Sequence, residues 1–331
     1  MSEGRSLPLS VVICTYNRPD LVAQVLGTLA DQDAPKDAYE VLVVDNASPA
    51  DITGAVAPFF GRVPGLRCIR EEQVGLSHAR NRGYREARGE YVAYVDDDCK
   101  LPKEWVSVAL EIIRNVKPAM FGGPYKAFYM APKPRWYKDE YGSYSLSTFA
   151  RPLTGNEFLI GLNMVIHREK LANLGGFRPD LGMSGAQLAY GEETELQMRI
   201  RSEYPDASIW YDPRFWVYHL VRPEKMTVQW LVRHRIADGA YYARISPGRL
   251  GNKVSPGRIA LAFVRAVGGL AWGPIRGGVF RHRERFPFYM NYFYEQNSHN
   301  LFDLGYALET ARIAARHWRQ GSCKPPYQSC S

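Results

Sequence analysis

Tyr91-Val92-Ala93-Tyr94-Val95-Asp96-Asp97-Asp98 runs five β-favouring or small apolar residues into three consecutive carboxylates. Like charges in a row repel, and an ionised carboxylate does not enter an apolar core unpaired. The stretch therefore predicts a buried strand whose carboxyl edge offers the acids to a cation or to ribose hydroxyls. A metal and nucleotide site is expected where that strand ends.

Working outward, Leu9-Ser10-Val11-Val12-Ile13-Cys14 and Tyr39-Glu40-Val41-Leu42-Val43-Val44 are nearly continuous apolar runs, as parallel strands covered on both faces require. Between them Pro19 suits a first helical position, and Leu21, Val22, Val25, Leu26 and Leu29 recur at helical spacing. A third strand is predicted at Leu66-Arg67-Cys68-Ile69-Arg70, a helix from about Ser77 to Ala87, and then the Asp96 strand. Strands alternating with helices imply a parallel α/β sheet with right-handed crossovers, in which ligands bind outside the carboxyl ends of the strands. Thr15-Tyr16-Asn17, Asp45-Asn46 and Asp96 to Asp98 all fall at such ends, so one site is expected.

Beyond Trp105 the pattern is irregular. Residues 122–155, rich in Gly, Pro, Tyr and Trp, predict a long loop or hairpin over the site, in which Trp136 and Tyr137 either stack on an acceptor or pack underneath. Further elements are expected as a strand from Leu159 to His167, a helix from Arg168 to Leu174 stopped by Gly175-Gly176, and a helix from Glu192 to Arg201. Ile209 to Tyr211 and Phe215 to Tyr218 read as short strands, and the chain from about Met226 is mainly helical.

The 331 residues suffice for a large core, and 46% hydrophobic with 23% charged residues is a globular composition. The net charge of +8 is unevenly spread. From Arg222 onward 17 Lys and Arg stand against 6 Asp and Glu, leaving 25 against 28 in the first 221 residues. Five scattered cysteines without a CxxC pair (Cys14, Cys68, Cys99, Cys323, Cys330) suit a reducing, cytoplasmic setting. Neither an apolar signal core at the N-terminus nor an uncharged apolar run of about 18 residues is present, so neither secretion nor a spanning helix is expected.

The ordered stretches VVICTYNRP, VLVVDNAS, GLSHARNRGYREARGEYVAYVDDD, GLNMVIHREKLANLGGF, GEETELQMRIR and WVYHL resemble the family 2 (GT2) inverting glycosyltransferases over roughly residues 8–222. The resemblance implies the GT-A nucleotide-diphospho-sugar transferase fold, a mostly parallel central sheet flanked by helices. With it the chain is expected to divide into a catalytic domain over 1–225, with a nucleotide-binding half at about 8–105 and an acceptor half at about 106–225, and, on its own charge and pattern, a basic, mainly helical extension over 226–331. The resemblance stops short of that extension. It further implies that Thr15, Tyr16, Asn17 and Arg18 belong to the nucleotide pocket and that Asp45 accepts the imide N–H of the base. Arg80 would approach ribose or phosphates. Asp98 and His219 would hold Mn²⁺ or Mg²⁺, while Asp96, with Asp97 beside it, would meet ribose or sugar hydroxyls. Gly161 and Asn163 would lie beside the transferred sugar. Glu193 is expected as the general base, with Glu192 as the alternative, although members of the family generally carry aspartate at that position. On the residues alone, Asp45 serves equally as a strand-end turn former, His219 as a structural imidazole, and acids opening a helix as complements to its dipole.

The expected donor is a nucleotide sugar, UDP-linked first, and the acceptor a glycan, lipid-linked or small molecule. A catalytically inactive sugar-binding relative is the alternative. Residues 258–285 alternate apolar blocks with arginines, which fits either a peripheral contact with the inner face of a membrane or a helix packed on its own protein. Nucleic acid is not an expected partner, because basic charge is only a footprint and no nucleic-acid-binding module accompanies it.

Overall fold

In a computed structural model of the chain, residues 7–155, 157–183, 191–245 and 255–319 are described. They fall into two compact units: the described parts of 1–130, 139–187 and 192–221, and those of 131–138, 188–191 and 222–331.

The first unit begins as the apolar runs require. β1 (Leu9–Thr15) leads into α1 (Pro19–Ala30), which buries Val22, Val25, Leu26 and Leu29, and then into β2 (Tyr39–Asp45). There follow α2 (Ile52–Val56), β3 (Arg67–Arg70), α3 (Leu76–Glu86), β4 (Tyr91–Asp96) and β5 (Cys99–Lys100). Next come α4 (Trp105–Asn115), β6 (Met120–Gly122), β7 (Tyr125–Phe128), β8 (Arg151–Pro152), β9 (Asn163–His167) and α5 (Arg168–Asn173). α6 (Glu192–Glu203), β10 (Ile209–Tyr211) and β11 (Val217–Leu220) complete it.

Eight strands form one sheet in the order β3-β2-β1-β4-β9-β6-β10-β8, in which all but β9 and β8 run in one direction. β5, β11 and β7 make a second, three-stranded sheet. Register explains why distant loops converge: Thr15 lies opposite Asp45, and Cys14 opposite Asp96. The carboxyl ends of β1, β2 and β4 are therefore level.

Several expectations are corrected. The irregular pattern beyond Trp105 conceals α4, whose Trp105, Val106, Ala109, Ile112 and Ile113 are buried on one helical face. β9 starts at Asn163 rather than Leu159, because the Gln197 amide captures both the N–H of Leu159 (2.7 Å) and its carbonyl (3.0 Å), removing them from the ladder. β11 starts at Val217 rather than Phe215. The Phe215 N–H turns back to the Asp212 carbonyl, so His219 lies inside the strand instead of after it. Within 122–155, Tyr125 and Tyr144 exchange backbone hydrogen bonds as a hairpin would, but 131–138 belongs to the second unit. There the Trp136 carbonyl accepts from Asn291 Nδ2, its ring lies 6.4 Å from that of Tyr294, and Tyr137 is buried. Trp136 thus packs on residues of its own unit, with the Tyr137 ring edge-on beside it.

The second unit is helical, with α7 (Val228–Ile245), α8 (Pro256–Phe280), α9 (Tyr289–Tyr292), a π turn at Phe293–Asn297 and α10 (Ser298–Arg319). α10 packs on α7, where buried Glu309 accepts from Arg244 (2.9 Å), and on α8. By length and composition α8 could cross a membrane, which corrects the expectation that no such helix exists. Its arginines interrupt an uncharged run without lowering the mean hydropathy of its most apolar window below 1.2.

Cys14, Cys68 and Cys99 are free thiols, and burial pushes Cys14 up to about 12, so it stays protonated. Cys323 and Cys330 lie outside the described residues.

Candidate functional site

β4 delivers Asp96 to its end, and the turn through Asp97 and Asp98 leads into β5. β5 pairs with β11 so that Cys99 opposes His219, and the Asp98 carbonyl accepts from Leu220 N–H at 2.9 Å. This brings His219 Nε2 to 3.5 Å from Asp98 Oδ1. One ligand atom from each of Asp96, Asp98 and His219 lies within 4.8 Å of the others. Two carboxylates and one imidazole converging at that spacing fit a hard to intermediate divalent cation such as Mg²⁺ or Mn²⁺. The expected division, Asp96 for hydroxyls and Asp98 for metal, is blurred, since Asp96 stands within the same cluster.

Asp97 does something else. It is buried, accepting from Thr15 Oγ1 at 2.7 Å and from Arg18 Nη1 at 2.9 Å. Burial, opposed by Arg18 and reinforced by Asp98, pushes its carboxyl up to about 6. Its direct role is to anchor Thr15 and Arg18, with Arg18 also 3.7 Å from Asp98. Thr15, Tyr16 and Arg18 then border a half-open cavity together with Asn46, Asp96 and Asp97. Its apolar side comes from Val74, Leu76, Ala79 and Met183, which sequence reasoning missed because scattered aliphatic residues carry no motif. An apolar slot with a polar, charged end suits a nucleoside.

Asp45 is not among the residues bordering that cavity. Its Oδ1 accepts the Ser48 N–H (2.9 Å) and its Oδ2 pairs with Arg70 (2.7 Å), so a base N–H would share an oxygen already engaged. The turn-forming role is the one the geometry displays. Asn17 adopts φ 57° and donates its N–H to Ser48 Oγ at 2.8 Å, placing it in the same turn network. Asn46 Oδ1 accepts the Gly75 N–H at 2.7 Å, tying the start of α3 to the end of β2.

Arg80 on α3 is buried. Nη1 donates to Glu192 Oε1 at 2.6 Å, Nη2 to the Gly161 carbonyl at 3.2 Å, and Nη2 lies 3.8 Å from Asp96. Burial works against its charge, but Glu192, Asp96 and Glu193 outweigh that and hold its pKa above the ordinary value. A Cβ at Gly161 would stand 2.9 Å from the guanidinium, so the glycine permits close approach of Arg80. Arg80 therefore links the Asp96, Asp98 and His219 cluster to the head of α6. The amide of Asn163, expected beside a sugar, faces the core, where it accepts from Trp105 Nε1 (3.0 Å) and donates to the Phe215 carbonyl (2.7 Å). Its side chain ties three elements together; the expectation of a sugar contact overlooked how strongly a buried indole N–H needs an acceptor.

Glu192 and Glu193 open α6. Glu192 is buried against Arg80, and Glu193 beside it is half-buried. Burial first, then the Glu192 charge, pushes the Glu193 carboxyl up to about 8, against the pull of Arg80. Breaking the Arg80 pair should be costly, since it strands a buried carboxylate. Arg80→Met is expected to lower unfolding free energy by about 3–5 kcal/mol in urea, and Arg80→Met with Glu192→Gln to recover part of that. A single-variant cost below about 1 kcal/mol would show that the pair does not hold α6 in position.

Comparison with known proteins bears on the family and the fold. The succinoglycan biosynthesis protein ExoM of Rhizobium meliloti (strain 1021) is 27% identical over 264 residues, covering 78% of this chain and 82% of ExoM. Among solved structures, the mannosyltransferase PcManGT from Pyrobaculum calidifontis, in complex with GDP-Man and Mn²⁺, superposes with a TM-score of 0.60 at 19% identity, covering 93% of this chain and 88% of its own. Staphylococcus aureus TarS 1-349 in complex with UDP gives 0.53 at 18% identity, covering 95% and 92%. At those identities the two structures show a shared GT-A fold. The family model described as Glycosyl transferase family 2 matches residues 10–175, about half of the chain and the span that holds β1, β2, β4 and the acids at their ends; this chain belongs to that family and is a glycosyltransferase.

Proposed function

We propose that the protein is a divalent-cation-dependent inverting glycosyltransferase that moves a sugar from a nucleotide-diphosphate sugar, UDP-linked in the first instance, to a hydroxyl of a glycan, lipid-linked or small-molecule acceptor. The observation that carries this reading is the convergence of Asp96, Asp98 and His219 beside a cavity bordered by Thr15, Tyr16 and Arg18. A UDP complex of TarS and a GDP-Man and Mn²⁺ complex of PcManGT on the same fold support a nucleotide-sugar donor and a cation. The name of ExoM supports a polysaccharide product.

In this reading Thr15, Tyr16, Asn17 and Arg18 form or support the nucleotide pocket, with Asp97 fixing two of them, and Asp45 with Arg70 holds the turn that follows β2. Asp96, Asp98 and His219 hold Mn²⁺ or Mg²⁺, which when bound neutralises charge on the departing diphosphate. Glu193 takes the acceptor's hydroxyl proton as that oxygen attacks the anomeric carbon opposite the leaving group. The sugar–phosphate bond breaks, the new glycosidic bond forms with inverted configuration, and the proton stays on the Glu193 carboxylate. Glu192 and Arg80 position that base, while Gly161 and Asn163 support the wall beside it. The free thiols suit a reducing compartment and support a cytoplasmic setting.

The test combines binding and turnover. With Mn²⁺ or Mg²⁺ present, one of a panel of UDP-, dTDP- and GDP-sugars is expected to raise the Tm, because a ligand that binds the folded state alone stabilises it. The same sugar should then be hydrolysed slowly, releasing its nucleoside diphosphate, with EDTA abolishing both effects. Tight binding without any release, with or without candidate acceptors, would instead make the chain a sugar-binding relative of the enzymes.

A further inference from the structure

α8 carries an exposed face that the transfer chemistry does not use. Val264, Trp272 and Val279 are 64%, 60% and 69% exposed, and Leu261, Val267 and Ile275 are exposed beside them. At 3.6 residues per turn these six project into one sector of about 140°, opposite the stripe of Ile259, Ala266 and Gly277 that is buried within the same unit. Gly273 and Gly277 on that inner side approach Asn297 and Tyr292 so closely that a Cβ would overlap them, so α8 already has a protein partner on one side.

The outer apolar sector has a charged border. Arg258, Arg265 and Arg276 fall within about 20° of one another on the helix, directly alongside the Trp272 edge. Arg281, Arg283 and Arg285 follow the end of α8. Isolated apolar side chains on a surface are ordinary, but a contiguous sector of this kind marks an interaction face. An apolar sector with a parallel arginine stripe matches a bilayer interface, where aliphatic and indole groups enter the acyl boundary and guanidinium groups reach back to anionic headgroups.

We propose that α8 docks the protein on an anionic phospholipid surface, lying in the plane of the interface rather than crossing the bilayer. Its length alone would allow crossing. Two features oppose that: Arg265 would stand in hydrocarbon, and the inner face is bound to the polar residues Asn297 and Asn300. The inference is independent of which sugar is transferred.

Vesicle flotation with the full chain tests it, using phosphatidylcholine alone and phosphatidylcholine mixed with phosphatidylglycerol. At low ionic strength the protein is expected to bind the anionic vesicles at least ~10-fold better than the neutral ones, with the preference shrinking in high salt. Val264→Glu with Ile275→Glu should reduce that binding at least ~10-fold while leaving Tm and nucleotide-sugar hydrolysis unchanged. Arg265→Gln with Arg276→Gln should remove most of the anionic preference. Lipids carrying a quencher in the upper acyl chain should quench the wild type more than Trp272→Phe. The proposal is overturned by no flotation, by flotation that the glutamate pair leaves intact, or by a wild-type dimer in light scattering that the same pair dissociates, which would assign the face to a second copy of the chain.

Discussion

Asp98→Ala is expected to slow sugar transfer by about a thousandfold, ~4 kcal/mol of barrier, and to abolish stabilisation by Mn²⁺ in the presence of nucleotide. Asp98 is buried, faces His219 at 3.5 Å, and has its backbone pinned by Leu220, so its place in the cluster is fixed by its contacts with the fold. Its charge also repels that of Asp97, helping to push the Asp97 carboxyl upward. Removing it relieves that repulsion, so the ligand-free Tm is not expected to fall, and loss of activity is separable from loss of fold. Asp98→Asn should share the catalytic defect because a neutral amide is a poorer ligand for a hard cation. Initial rates across a Mn²⁺ titration, with melting curves alongside, make the comparison. Transfer retained to within tenfold of the wild type would remove Asp98 from the metal site.

The same residues show which parts of the molecule a sequence can disclose. β1, β2 and β4 were legible because strands buried on both faces leave continuous apolar runs, and their acids stand out where those runs stop. α1 was legible through the spacing of Val22, Val25, Leu26 and Leu29. α4 has the same periodicity but was obscured by the Gly- and Pro-rich stretch beyond it. The boundaries of β9 and β11 were not legible, since the Gln197 amide and the Asp212 carbonyl set them from outside the strands. Within the site, motif and resemblance located the acids but not their partners. Asp97 turned to Thr15 and Arg18, Asp45 to Arg70, and Asn163 to Trp105, each contact spanning more than twenty residues of sequence. A long-range polar contact leaves no periodic trace along the chain. Arg80 is the instructive case: a guanidinium expected near ribose or phosphates is buried in an ion pair with Glu192 at the head of α6.

That pairing is why Glu193→Gln is the second decisive substitution. Arg80 neutralises Glu192, and Glu193 next to it remains half-buried beside a charge of its own sign. Its carboxyl is raised from 4.5 to about 8, close to the range in which a general base is both available and strong. The glutamine variant should lose about 10²–10⁴-fold in transfer, the usual contribution of a positioned base, while binding nucleotide sugar as before. Because the base acts deprotonated, the wild-type rate in the absence of saturating ligand should climb with pH through about 8, and residual transfer by the glutamine variant should not. Stability moves the opposite way. In the unfolded chain the group ionises at its ordinary 4.5, so between 4.5 and about 8 the folded state holds the extra proton, and the advantage this gives the fold below 4.5 is lost as pH rises through that window. Glutamine cannot ionise, so its Tm relative to wild type should rise from acid to alkaline pH. A glutamine variant that keeps its rate, or whose relative Tm is flat with pH, would pass the role of base to Glu192 and leave Glu193 as a helix-opening acid complementing the dipole of α6.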